Sequence, residues 1–343
     1  MSFRTVIGQD KAVGEVTKAL ASGRVPHAFL FTGPSGVGKG TVALLLAKTL
    51  LCPHAKPLAC GKCPSCHRVD SSTHADLNIL TVPEDKSEIP AKEVRDLCAR
   101  LAESPLEGKR KVAVVDPADR MNQEGQNVFL KTLEEPPLDT VIILVAENVD
   151  VILPTVRSRC RRVTFAPIAD EAVAGFLVKR GASADTAGTL TRLAQGSIGE
   201  AVRLMDGTFA EDRAAIIQAI LAAAPGAEEK LTEIIASGGA GKGKKAKERR
   251  EDVIMLLAAL HSVLVDAMRL KAGAPIRTNA DIAHAIRAFA GEVELDEIDA
   301  LEKEVSDAII VIAGYADARL VALRLAAAFA RRPGPVASES NRG

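Results

Sequence analysis

AFLFTGPSGVGKGTVALLLAKTLL, residues 28–51, is the stretch whose reading decides the fold. It opens on a short apolar strand, AFLFTG (28–33), and closes on a helix, TVALLLAKTLL (41–51). Between them GPSGVGKGT (33–41) follows the phosphate-binding pattern G-x-x-x-x-G-K-[ST] with one letter displaced: Gly40 follows Lys39, and Thr41 comes one residue late. A strand before and a helix after is the context such a loop needs, because its backbone N–H groups and the helix N-terminus together cradle phosphate. Gly33, Pro34, Ser35, Gly36, Val37, Gly38, Lys39, Gly40 and Thr41 are therefore the candidate nucleotide-binding residues. Gly36 and Gly38 permit the turn, Lys39 can meet the β- and γ-phosphates, and Thr41 the α-phosphate; Gly40 has no hydroxyl for Mg²⁺. The competing reading is a loop kept only to shape the strand–helix junction.

Working outward, the first 165 or so residues alternate the two periodicities. Apolar runs KVAVVD (111–116), TVIILVAE (140–147) and RRVTFAP (161–167) read as further strands, and KAVGEVTKALASG (11–23) and QNVFLKTLEE (126–135) as helices. Continuous apolar strands between helices argue a parallel sheet covered on both faces. After Pro167 the pattern is wholly helical. Short helices within 168–207 form a small module, longer ones within 208–335 a bundle, and 336–343 a disordered tail. The last long helix is interrupted near Gly314. The glycine- and lysine-rich run 237–250 reads as a flexible loop; it lacks interleaved aromatics, so a solvated loop is preferred over a nucleic-acid contact.

At 343 residues the chain is long enough for two or three domains. Lys+Arg and Asp+Glu are both 44, so no net field drives binding to nucleic acid or membrane. The start, MSFRTVIGQD, lacks a basic region followed by an apolar run, and VIMLLAALHSVLVDAM (253–268) is too short and too polar to span a bilayer. A cytoplasmic location is expected.

Three further features carry chemistry. Asp116 ends a buried strand, where an aspartate can hold Mg²⁺ through water; a solvated or capping aspartate is the alternative. The next residue, Pro117, has no side chain for base chemistry, and Asp119 is three residues away. Cys52, Cys60, Cys63 and Cys66 form two overlapping C-x-x-C pairs plus a fourth thiol within 52–66, a set suited to structural zinc with all four positions filled by sulfur. A redox pair or an incidental cysteine loop competes with that reading, and Cys98 and Cys160 read as ordinary residues. Finally, Arg157 and Arg159 in VILPTVRSRCRR (151–162) either make salt bridges within the chain or reach a neighbour's nucleotide as an arginine finger.

GQDKAV, PHAFLFTGPSGVGKGT, the four-cysteine module after the first P-loop helix, KTLEEPP and SRC together resemble the bacterial clamp-loader ATPases of the AAA+ class, over roughly residues 4–207. The resemblance implies an α/β P-loop domain over 1–167 with a zinc module at 52–66, a helical lid over 168–207, and a helical collar over 208–335 that holds a ring together. It implies ATP and Mg²⁺ as ligands of the family's active sites. It implies a hetero-pentameric ring with gamma/tau and delta subunits, acting on a sliding clamp and primed DNA. SRC (158–160) would put Arg159 in a neighbouring motor subunit's ATP site. Four positions depart from a hydrolysing member: Gly40, Pro117, Gly199 in place of the second sensor's arginine, and Ala146 in place of the first sensor's threonine. These departures fit the family's stator subunit, which lends an arginine and is not itself a motor. An active motor subunit is the alternative, and a nucleoside-monophosphate kinase, which also writes G-K-G-T, a remote one.

Overall fold

The computed structural model describes residues 2–83, 86–206, 209–239, 246–313 and 317–330. The expected tail at 336–343, the interruption near Gly314 and positions 240–245 of the lysine-rich run lie outside them.

Helices and strands alternate from the start: α1 (Asp10–Ala21), β1 (Ala28–Thr32), α2 (Lys39–Leu51), α3 (Pro64–Asp70), β2 (Leu77–Leu80), α4 (Ala91–Ala102), β3 (Lys111–Val115), α5 (Gln123–Glu134), β4 (Thr140–Ala146), α6 (Pro154–Arg157) and β5 (Arg161–Thr164). The five strands form one parallel sheet in the order β2-β3-β4-β1-β5. Every residue of β1, β3 and β4 is buried. Their apolar side chains divide by the pleat. Phe29, Phe31, Val112, Val114, Ile143 and Val145 face one layer with α1 to α3. Leu30, Ala113, Val115, Ile142 and Leu144 face the other, with Val94, Leu97 and Leu101 of α4 and Phe129 and Leu133 of α5. Burial on both faces is why these strands read as unbroken apolar runs.

The chain then continues as α7 (Asp170–Lys179), α8 (Ala184–Ala194), α9 (Ile198–Asp206), α10 (Phe209–Leu221), α11 (Glu228–Ser237), α12 (Ala246–Lys271), α13 (Ala283–Glu292), α14 (Leu295–Ala313) and α15 (Ala318–Ala330). Two compact units emerge: Met1–Phe176 with Gln195–Glu200, and Leu177–Ala194 with Ala201–Gly343. The stretch 168–207 is shared between them.

The helical unit is built on α12, which packs against α13, α14 and α11. Val253, Leu256, Leu257, Leu260, Val263 and Leu264 of α12 are buried. This helix corrects two expectations. It begins at Ala246, so positions 246–250 of the lysine-rich run are helical. Its segment Asp252–Lys271, 20 residues, is by length and composition long enough to cross a membrane. Its apolar side chains are buried in the unit, and its Asp266 is fully satisfied there, accepting the backbone N–H groups of Arg277, Thr278 and Asn279. Asn279 in turn accepts from the buried Arg213, whose other amino group donates to Asp281 at 2.8 Å. That network binds α10, α12 and the 277–281 turn, with both terminal amino groups of Arg213 partnered as burial demands, while its Nε has no partner among the described residues.

Candidate functional site

The phosphate loop stands at the C-terminal end of β1, where open α/β sheets bind ligands. Ser35 to Thr41 line a cleft of about 430 Å³ with Asp116, Glu147, Val6, Ile7, Phe176 and Gly199. Gly33 and Pro34 contribute differently: their carbonyls accept Lys39 Nζ at 2.7 and 2.5 Å. Lys39 is 5% exposed. Burial draws its pKa down, against the charges of Glu147, Asp116 and Asp119, which favour the ammonium. Burial pushes the Asp116 carboxyl up; Lys39 opposes this, while Glu147 and Asp119 add to it.

Two glycines of the cleft sit in close contact with their surroundings. A Cβ at Gly40 would lie 2.8 Å from Asp116 Oδ2, so the carboxylate occupies the space of the hydroxyl side chain. A Cβ at Gly199 would lie 2.9 Å from Gly36 Cα, and the Gly199 N–H donates to the Gly36 carbonyl at 2.9 Å. The first turn of α9 is thus laid directly on the loop by backbone contact, capped by Ser197 Oγ accepting from Glu200 N at 3.0 Å. Asp119 is engaged elsewhere, accepting Asn148 N–H at 3.1 Å. Glu147, one residue beyond β4, is the cleft carboxylate that motif reading passes over; its only sequence signal is its place after Ala146 at a strand end.

The four cysteines converge as expected. Cys52 caps the end of α2 and Cys63 the start of α3, with Cys63 Sγ accepting Cys66 N–H at 3.4 Å. All four Sγ atoms lie within 4.8 Å of one another. Cys52 to Cys60, Cys52 to Cys63 and Cys60 to Cys66 are 3.7, 3.9 and 4.0 Å. A tetrahedron with Zn–S bonds of about 2.3 Å has edges of about 3.8 Å, so the donor set fits zinc. The Cys60 thiol is drawn down to about 6, first by the Lys62 backbone N–H. Cys98 and Cys160 lie outside this cluster, packed on the α4–α5 side of the sheet.

Arg159 follows α6 in the turn that leads into β5, and is not among the residues lining the cleft. Because β5 runs parallel to β1, with Phe29 opposite Arg161, this turn is at the strand N-termini. The phosphate loop is at the opposite end. Arg159 Nη1 donates to the Thr155 carbonyl at 2.9 Å and Nη2 to Glu134 at 2.5 Å. Arg157 donates to Asp150 at 3.3 Å.

A family model described as "DNA polymerase III, delta subunit" matches residues 8–169. Over 211 residues the chain is 32% identical to DNA polymerase III subunit delta' of Bacillus subtilis, covering 61% of this chain and 63% of that protein. It is 40% identical over 135 residues to subunit delta' of Pseudomonas aeruginosa, covering 39% and 41%. It is 34% identical over 167 residues to subunit gamma/tau of Mycobacterium tuberculosis, covering 48% and 28%. The matches span less than two thirds of the length of each relative.

Proposed function

We propose, from the premise that residues 8–169 belong to the bacterial clamp-loader AAA+ family, that this chain is a delta-prime subunit of the DNA polymerase III clamp loader. In this reading it is the stator of a hetero-pentameric ring with gamma/tau and delta subunits, working in the cytoplasm. The ring opens a sliding clamp and sets it on primed DNA, and the collar helices of 208–335 hold it together. The chain has no polymerase chemistry of its own.

The carrying observation is a separation. By the resemblance, Gly40, Pro117, Ala146 and Gly199 stand where a hydrolysing member has its working groups, while Arg159 stands at the far end of the sheet, away from the residues that line the cleft. An always-charged, planar guanidinium in that place suits the transition-state charge of a neighbour's ATP, worth about 10³–10⁵ in rate. The N–H groups of the loop, Lys39 and Asp116 would hold Mg²⁺ and ATP if the cleft takes them. With Glu147 and Asp119 adding negative charge beside one lysine, and no arginine at 199, the cleft is poorly suited to stabilising a leaving phosphate. The cysteine cluster would hold a structural zinc, its four positions closed to substrate.

The gamma/tau reading keeps one observation of its own: similarity to gamma/tau proteins over the same region, with the glycine geometry of the loop intact. Equilibrium binding of labelled ATP to the isolated chain, run beside a steady-state turnover assay, separates the two. The delta-prime reading expects no steady turnover by the chain alone, and clamp- and DNA-stimulated turnover by motor subunits once the chain is added. Sustained hydrolysis by the isolated chain would favour the motor reading.

A further inference from the structure

Glu134 sits at the wrong end of its helix. It is the last residue of α5, followed by Glu135, and the C-terminus of a helix is its negative pole. A carboxylate there is disfavoured unless a cation answers it, and the cation is Arg159, with Nη2 at 2.5 Å from Glu134 Oε1. The rest of the guanidinium is held from the other side. Nη1 donates to the Thr155 carbonyl at 2.9 Å and to Ser158 Oγ at 3.4 Å.

Among the described residues these three bonds engage three of the five N–H donors of an arginine and leave two for an incoming anion. The frame behind them is tied together by hydrogen bonds. Gln126 of α5, 2% exposed, accepts the Leu153 N–H at 2.8 Å and donates to the Val151 carbonyl at 3.2 Å, which locks the start of α6 to α5. The ion pair itself is open to water, with Arg159 35% and Glu134 48% exposed. A pair so placed contributes little to stability. Its consequence is geometric: a long, rotamer-rich side chain is held in one direction before any partner arrives.

We propose that Glu134 is the positioning residue for Arg159, aiming the guanidinium at the phosphates of the nucleotide bound by the adjoining subunit. This rests on the trans role of Arg159 given above. Glu134 does not touch that nucleotide; it acts by reducing the conformational freedom that Arg159 must lose in the transition state.

The test uses the complete reconstituted clamp loader carrying Arg159→Ala, Glu134→Ala, Glu134→Gln, or Arg159→Ala with Glu134→Ala, and reads clamp- and DNA-stimulated ATP turnover. The proposal expects Glu134→Ala to lower kcat roughly 2- to 5-fold, the scale of an exposed ion pair, with KM for ATP unchanged. Glu134→Gln keeps the acceptor oxygen and loses the charge, so it falls in between. The double variant should be no slower than Arg159→Ala alone, because Glu134 acts only through Arg159. If Arg159→Ala slows turnover while both Glu134 variants match the wild type, the positioning role is overturned and the trans role survives. If Arg159→Ala changes nothing, both fall. A rise in kcat with Glu134→Ala also overturns the proposal, since Glu134 would then restrain the arginine rather than aim it. Should Glu134→Ala fail to assemble, the near-isosteric Glu134→Gln decides alone.

Discussion

Position 40 holds the most informative single atom pair in the cleft. With a Cβ there only 2.8 Å from Asp116 Oδ2, Gly40→Thr cannot be a simple restoration of a magnesium ligand. The carboxylate is half-buried at the cleft wall beside Lys39, Glu147 and Asp119, so a threonine at 40 obliges it to shift from the place it holds. Overpacking of this kind costs about 1–3 kcal/mol. Gly40→Thr is expected to lower the thermal midpoint by several degrees and to leave the isolated chain without turnover. A higher midpoint with recovered hydrolysis would contradict this account of the site. Gly199 is constrained in the same way by Gly36, so the arginine of the second sensor could enter only if the first turn of α9 lifted from the loop.

Elements set the limits of what sequence can foretell. The strands around the cleft were legible because burial on both faces leaves only apolar residues in β1, β3 and β4. β2 was not: it is a four-residue edge strand, LNIL, with only its two ends buried, and it carries neither alternation nor a long apolar run. α4 and α11 also went unread. Val94, Leu97 and Leu101 of α4 fall at helical spacing, but Lys92, Glu93, Arg95, Asp96 and Arg100 lie between and around them. What anchors β2 is a side chain that no motif announces. Asp76 is fully buried and accepts the N–H groups of Leu106, Glu107 and Gly108 at 2.6 to 2.9 Å. Burial alone would raise its pKa, but those three donors outweigh it and hold the carboxyl below its ordinary value.

A depressed folded-state pKa means stability that is complete above the unfolded value, about 3.9, and is lost as pH falls through the folded one. Asp76→Ala should therefore cost about 1–3 kcal/mol near neutral pH, through the donors left orphaned. Its unfolding curve should also be less acid-sensitive below about pH 4 than that of the wild type. Equal acid sensitivity in urea titrations of the two proteins would refute the assignment. For the knuckle joining α2 to α3, metal analysis of the purified chain should find about one zinc per chain, and Cys66→Ser should lose it. Metal-free protein with an unchanged thermal midpoint would refute the zinc reading.

At the scale of the whole molecule, the proposed role in an assembly rests on a phosphate-loop cleft with glycine at 40 and 199 and on an arginine at the opposite end of the same sheet. The cysteine cluster, the phosphate loop and SRC were each readable as residues; their relative placement was not. Parallel pairing of β5 with β1 is what sends Arg159 away from Lys39, and no spacing in the chain encodes that pairing. The α12 core of the other unit was legible as an apolar helix, while the Arg213–Asn279–Asp266 network that pins it was hidden, because its members are far apart in sequence. The central claim is that this chain's chemistry is exerted on another subunit's ATP. Its most direct test is turnover at the neighbouring motor site in a reconstituted loader, with clamp and primed DNA present, comparing Arg159→Ala with the wild type. The account predicts a fall of about 10³-fold or more at that site with assembly intact; unchanged turnover in the assembled complex would contradict it.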